Sequence, residues 1–461
     1  MLRRPPGPRG IGLGFLASAR SGGLLRYLAE TARRYGPVSS FRLGTQCLAL
    51  VDDPRLIEEI LVTRQHAFVR DTGAVLLREL VGEGLLTTDD PAHLARRRLM
   101  QPAFHRGRVA RYAETIVAET ERVMGGWNGA PLDVGAEMAK LTLGAVGASL
   151  FGADLRDEAA SVAAVLGRVL RRGTSLAPLL ALATPLLAPL HRLVPERASI
   201  LFPRERAELD AIVAPIVRRR RAALRQAQGD TFPVMLSLSK HAEADDLLSL
   251  LLAARDEGAA LDDAGVRNEV VMLILAGHET TANALTWVWY ALASHPSVEA
   301  RVHAEVDAVL GGRPPGVDDV PKLRYVSRVV DETLRLYPPA GAFARRPLAA
   351  LELGGFALPR LASVFVSPYV TQRNPRYFPD PLAFAPDRWA DAAPPKFAYF
   401  PFGGGSKTCI GEPFARMEAI LAIATIAGRY TLRRTDRTTI EPAEQALVRP
   451  SRPVMAVAMR R

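Results

Sequence analysis

Apolar positions along this 461-residue chain recur mostly with helical spacing. Residues 24–35 carry an amphipathic helical pattern, and residues 38–51 read as β structure turning at Gly44. Helical periodicity then dominates from 54 to about 225, broken at Gly82-Glu83-Gly84 and again at 125–131. Residues 177–203 are apolar but proline-rich, which predicts short helices and turns. Residues 226–244 are mixed polar and predict a loop insertion between two helices, with no chemistry of its own. The clearest helix spans 262–295, capped by Asp262 or Asp263 and ended by Pro296. Its apolar residues cover nearly every face, so it should run buried through the core for about 50 Å. Helices at 297–310 and 322–336, short strands within 351–366 and a last long helix at 412–429 complete the pattern.

The expected fold is mainly α with a minor β component. Length alone suggests about three domains, but no internal repeat or linker divides the chain. One large domain over 1–461, opened by a Pro-rich lead at 1–14, fits better.

Composition narrows the classes. Apolar residues at 48% and charged residues at 23% support a large core and exclude wholesale disorder. Two cysteines, Cys47 and Cys409, cannot build a disulfide scaffold or a four-thiolate zinc site. Of the 59 basic residues five are lysine and 54 arginine, giving a net charge of +11. No nucleic-acid motif accompanies them and aromatics are only 7%, so nucleic acid is not expected as a partner. The most lipid-like stretch, residues 175–190, holds Pro178, Pro185 and Pro189, too broken for a membrane span. Met1-Leu2-Arg3-Arg4 leads straight into the Pro/Gly-rich start without a signal-like apolar region. The expectation is a cytoplasmic, reduced monomer with both cysteines as thiols.

Four constellations carry candidate chemistry. The first runs from Phe402 through Gly403-Gly404-Gly405-Ser406-Lys407-Thr408 to Cys409 and Gly411. Its glycines permit positive φ and would let a flat ligand approach the backbone. Cys409 arrives just ahead of a helix, whose N–H groups should lower its pKa, and a lone, rigid thiolate suits an axial haem ligand. A P-loop is excluded, because the positions that would need glycine hold Ser406 and Pro401. Read alone, the loop is equally a glycine turn before a helix with a buried cysteine. The second is Ala276-Gly277-His278-Glu279-Thr280-Thr281 in the buried helix. It offers an acid, a hydroxyl and a locally widened turn in a dry place, which suits proton delivery. A zinc helix fails because residue 282 is alanine; the plainer reading is core threonines with Glu279 paired to an arginine. The third, Glu332-Thr333-Leu334-Arg335, reads by itself as a surface salt bridge. The fourth, Phe384-Ala385-Pro386-Asp387-Arg388-Trp389, reads as a loop.

Together, in this order and spacing, the four resemble the cytochrome P450 family, the haem-thiolate monooxygenases, over essentially the full length. The resemblance implies a single domain with a long central helix over haem b (iron protoporphyrin IX). It implies that Cys409 is the axial thiolate and iron ligand, Phe402 the aromatic beside it, Thr280 the oxygen-activating threonine and Glu279 its acid. Glu332, Arg335 and Arg388 become a buried structural ion-pair set. His93 and Arg97, in His93-Leu94-Ala95-Arg96-Arg97, and Arg345 match propionate-binding positions. Lys407 departs from the family's arginine: charge is kept, but planar bidentate pairing is lost. Cys47 has no motif and is expected to be a small core residue.

The implied reaction inserts one atom of O₂ into a C–H bond of a lipophilic small molecule, fatty acid or terpenoid-like. Only about 30 residues follow the last helix, so electrons are expected from a separate ferredoxin or flavodoxin with its reductase. Candidate pocket walls are residues 76–86, 177–203, the helix around Ala276 and residues 340–344. The rival readings are a peroxide-driven peroxygenase or a haem-thiolate isomerase, against which Glu279 and Thr280 argue, and a non-catalytic haem-binding sensor.

Overall fold

The computed structural model describes residues 3–9, 13–20, 23–43, 46–169, 201–229, 246–253, 261–390, 393–444 and 447–461. Its centre is the helix Asp263–Ser294, 32 residues and about 48 Å long at 1.5 Å per residue. The Asp262 side chain caps it, accepting from the Gly265 amide at 2.7 Å, and Pro296 starts the next helix. The helix packs lengthwise against Val134–Phe151 and feeds both large apolar clusters of the core. In the second cluster Trp287 stacks on Tyr337 with centroids 3.9 Å apart. Val134–Phe151 is long and apolar enough to cross a membrane by length and composition, yet two-thirds of it is buried inside the fold. The expected lipid-like stretch at 175–190 lies outside the described residues.

A five-stranded sheet flanks the helices. Its members are β1 (Val38–Leu43), β2 (Gln46–Val51), β3 (Phe68–Arg70), β4 (Phe343–Pro347) and β5 (Ser363–Val366), ordered β1-β2-β5-β4-β3. β2 and β5 run parallel; the other neighbours are antiparallel. β3 lies inside the region read as helical, because three residues are too few to show a period of two. In a smaller sheet, Met455–Arg460 runs between Pro131–Asp133 and Tyr430–Arg434. The helix Pro203–Gly229 extends into the predicted 226–244 loop, so its first four residues are helical; the rest of that loop lies outside the described residues. Cys47 is half-buried at the β1–β2 hairpin.

Candidate active site

The cysteine loop is held from both sides. The Cys409 amide donates to the Phe402 carbonyl at 2.9 Å, and the Ser406 amide to Gln65 Oε1 at 2.9 Å. Arg97 Nη1 donates to the Thr408 carbonyl at 2.7 Å. Gly405 has φ +71°, and a Cβ there would stand 1.7 Å from the Leu61 carbonyl oxygen. Part of the expected need for glycine is thus met by another stretch of the protein's own chain. Cys409 is exposed although it lies deep in the molecule, so its thiol faces an internal cleft. Burial pushes this thiol up, against the pull of the Gly411 and Glu412 amides and Arg97. This corrects the expectation that the helix start alone would favour a thiolate; a coordinating metal deprotonates such a thiol outright.

The central helix opens opposite its middle. Between Asn268 and Leu292 it is buried except at Ala276, Gly277, Glu279 and Thr280. Thr280 Oγ1 donates to the Ala276 carbonyl at 2.7 Å, and the helix is unbroken there, so the expected widened turn is absent. Burial raises the Glu279 carboxyl, which accepts from Asn283 Nδ2 at 3.2 Å; Arg449 only moderates it. His278 is fully buried on the opposite side, its Nδ1 3.0 Å from Thr142 Oγ1 and its pKa pushed down to about 4 by burial.

A basic cluster brings His93, Arg345 and Lys407 together with Arg70, Asp89 and Asp90, and Arg97 reaches the adjoining cysteine loop. Lys407 Nζ lies 3.7 Å from Asp89 and 3.5 Å from Asp90. His93 Nδ1 is 3.0 Å from the same Asp90, and burial with Arg70 nearby lowers its pKa, so the ring is neutral. Arg70 stands opposite Arg345 in the β3–β4 register, hence on the same face. Arg70 donates to the Thr88 and Leu85 carbonyls at 2.9 and 3.0 Å. Arg345 donates to the Ala344 carbonyl, and burial pushes its pKa down to about 10. Arg70 and Lys407 face Asp89 and Asp90, Arg345 lies near Asp89 and Asp71, and Arg97 reaches the cysteine loop beside the Cys409 thiol. Desolvating cations is costly, and an anionic ligand relieves that cost.

The Glu-x-x-Arg pair is no surface bridge. Glu332 and Arg335 are wholly buried. Glu332 accepts from Arg335 Nε and Nη2, Arg388 Nε, Trp389 Nε1 and the Ala385 amide, all between 2.8 and 3.0 Å. Arg335 spends its other donors on the Gln372, Pro381 and Ala383 carbonyls. Sequence reasoning missed Glu418, fully buried on the helix Glu412–Ala427. Its carboxyl oxygens make no formed hydrogen bond; Thr281 is the polar group beside it, and burial holds it protonated. A full-height acid nine residues after Cys409 on an apolar helix was the available signal.

Haem fits this donor set: one thiol on a rigid loop, with desolvated cations beside it that suit propionate carboxylates. Fold and donors are those of a haem-thiolate protein. A family model described as Cytochrome P450 matches residues 5–457, and the chain belongs to that family. It is a haem-dependent monooxygenase. It is 38% identical over 433 residues to cyclooctatin synthase of Streptomyces melanosporofaciens, covering 91% of this chain and 88% of that protein. Cyclooctat-9-en-7-ol 5-monooxygenase of the same organism is 34% identical, with 90% and 86% covered. Pentalenene oxygenase of Streptomyces avermitilis is 33% identical, with 90% and 87% covered.

Proposed function

We propose that this monooxygenase hydroxylates a terpenoid-like, polycyclic lipophile within an otherwise dry cleft. The supporting observation is the opening of the buried central helix only at Ala276, Gly277, Glu279 and Thr280, together with relatives named for cyclooctat-9-en-7-ol and pentalenene. Cys409 would hold the haem iron through its sulfur, and His93, Arg97, Arg345, Lys407 and Arg70 would hold the cofactor's carboxylates. The cofactor is haem b, since no second cysteine stands near Cys409 for covalent attachment. When bound, haem iron supplies the activation of dioxygen.

The chain's residues supply the rest. Ala276 leaves room for substrate above the cleft, whereas Gly277 lets the central helix pack against Val146, 3.0 Å from where a Cβ would stand. Thr280 Oγ1 carries a proton now donated to the Ala276 carbonyl, and rotation about χ1 frees it for the cleft. Glu279, its carboxyl pKa raised by burial, is one residue away to replace it. Phe402 and the loop amides shield the thiolate sulfur from water. The two electrons come from a separate ferredoxin or flavodoxin with its reductase, drawn by the arginine-rich surface. The protein acts as a cytoplasmic monomer of one domain.

The test is turnover with haem-loaded protein, a ferredoxin pair, NAD(P)H and a panel of cyclic terpenes and fatty acids. Hydroxylated terpene is expected; oxidation of fatty acids alone would overturn the substrate class. Cys409→His should abolish the red-shifted Soret band of the reduced CO complex, and survival of that band would refute the ligand. Thr280→Ala should cut product per NAD(P)H by roughly tenfold or more; unchanged coupling would remove Thr280 from proton delivery.

A further inference from the structure

The central helix grips the loop ahead of Asp89 with three consecutive polar side chains. Arg267 Nη1 donates to the Val81 carbonyl at 2.8 Å, and Asn268 Nδ2 to the Glu83 carbonyl at 3.2 Å. Glu269 Oε2 accepts from the Leu85 amide at 3.2 Å. Its other oxygen accepts from Arg96 Nη1 at 2.8 Å. Glu269 is wholly buried and Arg96 partly so. Arg96 sits on the helix Ala92–Met100, which also presents His93 and Arg97 to the basic cluster.

The residue after the gripped amide meets the central helix at Met272, four residues before Ala276. Leu86 donates its amide to Met272 Sδ at 3.1 Å, and its side chain is 38% exposed. Met272, Ala276 and Thr280 follow at four-residue spacing on one helix face, so Leu86 stands about two turns, roughly 12 Å, from Thr280 along the axis. Beyond Leu86 the loop is tied by its own threonines, Thr87 Oγ1 to the Gly82 carbonyl and Thr88 Oγ1 to the Gly84 carbonyl. Core packing here needs only volume. A buried ion pair adds direction, because it fixes where the Leu85 amide must stand.

We propose that Glu269, clamped between Arg96 and the Leu85 amide, is a positioning residue that sets Leu86 over the cleft and so selects which carbon of a bulky lipophile meets the reacting centre. The proposal rests on the terpenoid reading above. Small ligands of the iron do not touch this wall; polycyclic ones do.

The experiment compares haem-loaded wild type with Glu269→Gln and Arg96→Lys. The readouts are hydrogen exchange of the 82–88 segment, spectral affinity for a polycyclic terpene and for imidazole, and the ratio of hydroxylated positions. E269Q should keep the reduced-CO band and imidazole affinity, speed exchange at 82–88, weaken the terpene about tenfold and broaden the product ratio. R96K, which keeps the charge, should shift the same readouts less, and it decides the matter alone if E269Q fails to load haem. Unchanged exchange and product ratio would overturn the proposal, as would an equal loss of terpene and imidazole affinity. If wild type binds CO normally but no terpene, the substrate reading fails, and exchange at 82–88 still decides the clamp: unchanged exchange there overturns it.

Discussion

Two clusters of buried charge in this molecule use the same residue types and reach opposite ends. Around Glu332 every donor meets an acceptor: two arginines, an indole and an amide converge on one carboxylate, and the spare guanidinium protons go to carbonyls. Around Arg345 the arithmetic does not close. Arg345 donates to its neighbour's carbonyl and, among the described residues, forms no ion pair, with Asp89 and Asp71 near it but out of contact and Arg70 opposing it. A closed cluster contributes to the fold. An open one is a binding site, because its desolvation cost is recovered only when an anion arrives.

This contrast can be broken by substitution. Glu332→Gln leaves buried donors facing an amide, and should cost about 3–5 kcal/mol of stability with or without haem, seen in urea midpoints of both forms. Asp52 is an intermediate case: it accepts from Asn374 Nδ2 at 2.9 Å but has no cation at ion-pair distance among the described residues, and burial pushes it from 3.8 up to about 6. Its folded state holds the proton more tightly, so the stability it contributes is full below pH 3.8 and lost as pH rises through about 6. Asp52→Asn should therefore stabilise the protein at pH 7.5 by about 3 kcal/mol, with the gain vanishing near pH 4 in a pH series of melts. Arg345→Gln should speed haem loss by roughly 10- to 100-fold, the loss of a hydrogen bond to a charged group, while leaving the haem-free chain as stable or more so; a large destabilisation of that form would place Arg345 with the Glu332 type. Lys407→Arg should be the mildest, changing haem retention by about threefold at most, because Asp89 and Asp90 already engage the position. Transfer of haem to apomyoglobin reports both rates.

Legibility from sequence followed the same division. Cys409, Phe402, Thr280, Glu332 and Arg388 stand in local strings whose spacing carries the chemistry. Glu332 nonetheless looked like a surface bridge until a resemblance supplied its surroundings, since i,i+3 spacing says nothing about burial. Arg70 and Glu269 were invisible. The first acquires its role only through the β3–β4 register, the second through a loop more than 180 residues away in sequence. The widened turn expected at Thr280 failed for a local reason: the hydroxyl bonds back to Ala276 without opening the helix.

The parallel pairing of β2 with β5 bears on how the protein comes to exist. Gln46 and Ser363 touch at 3.3 Å across 317 residues of chain, and Arg70 meets Arg345 only within that closure. Such a contact gives the chain a high contact order, and its loop-closure entropy must be met before any local reward arrives. The cage around Cys409 thus depends on segments far apart in the chain closing on one another.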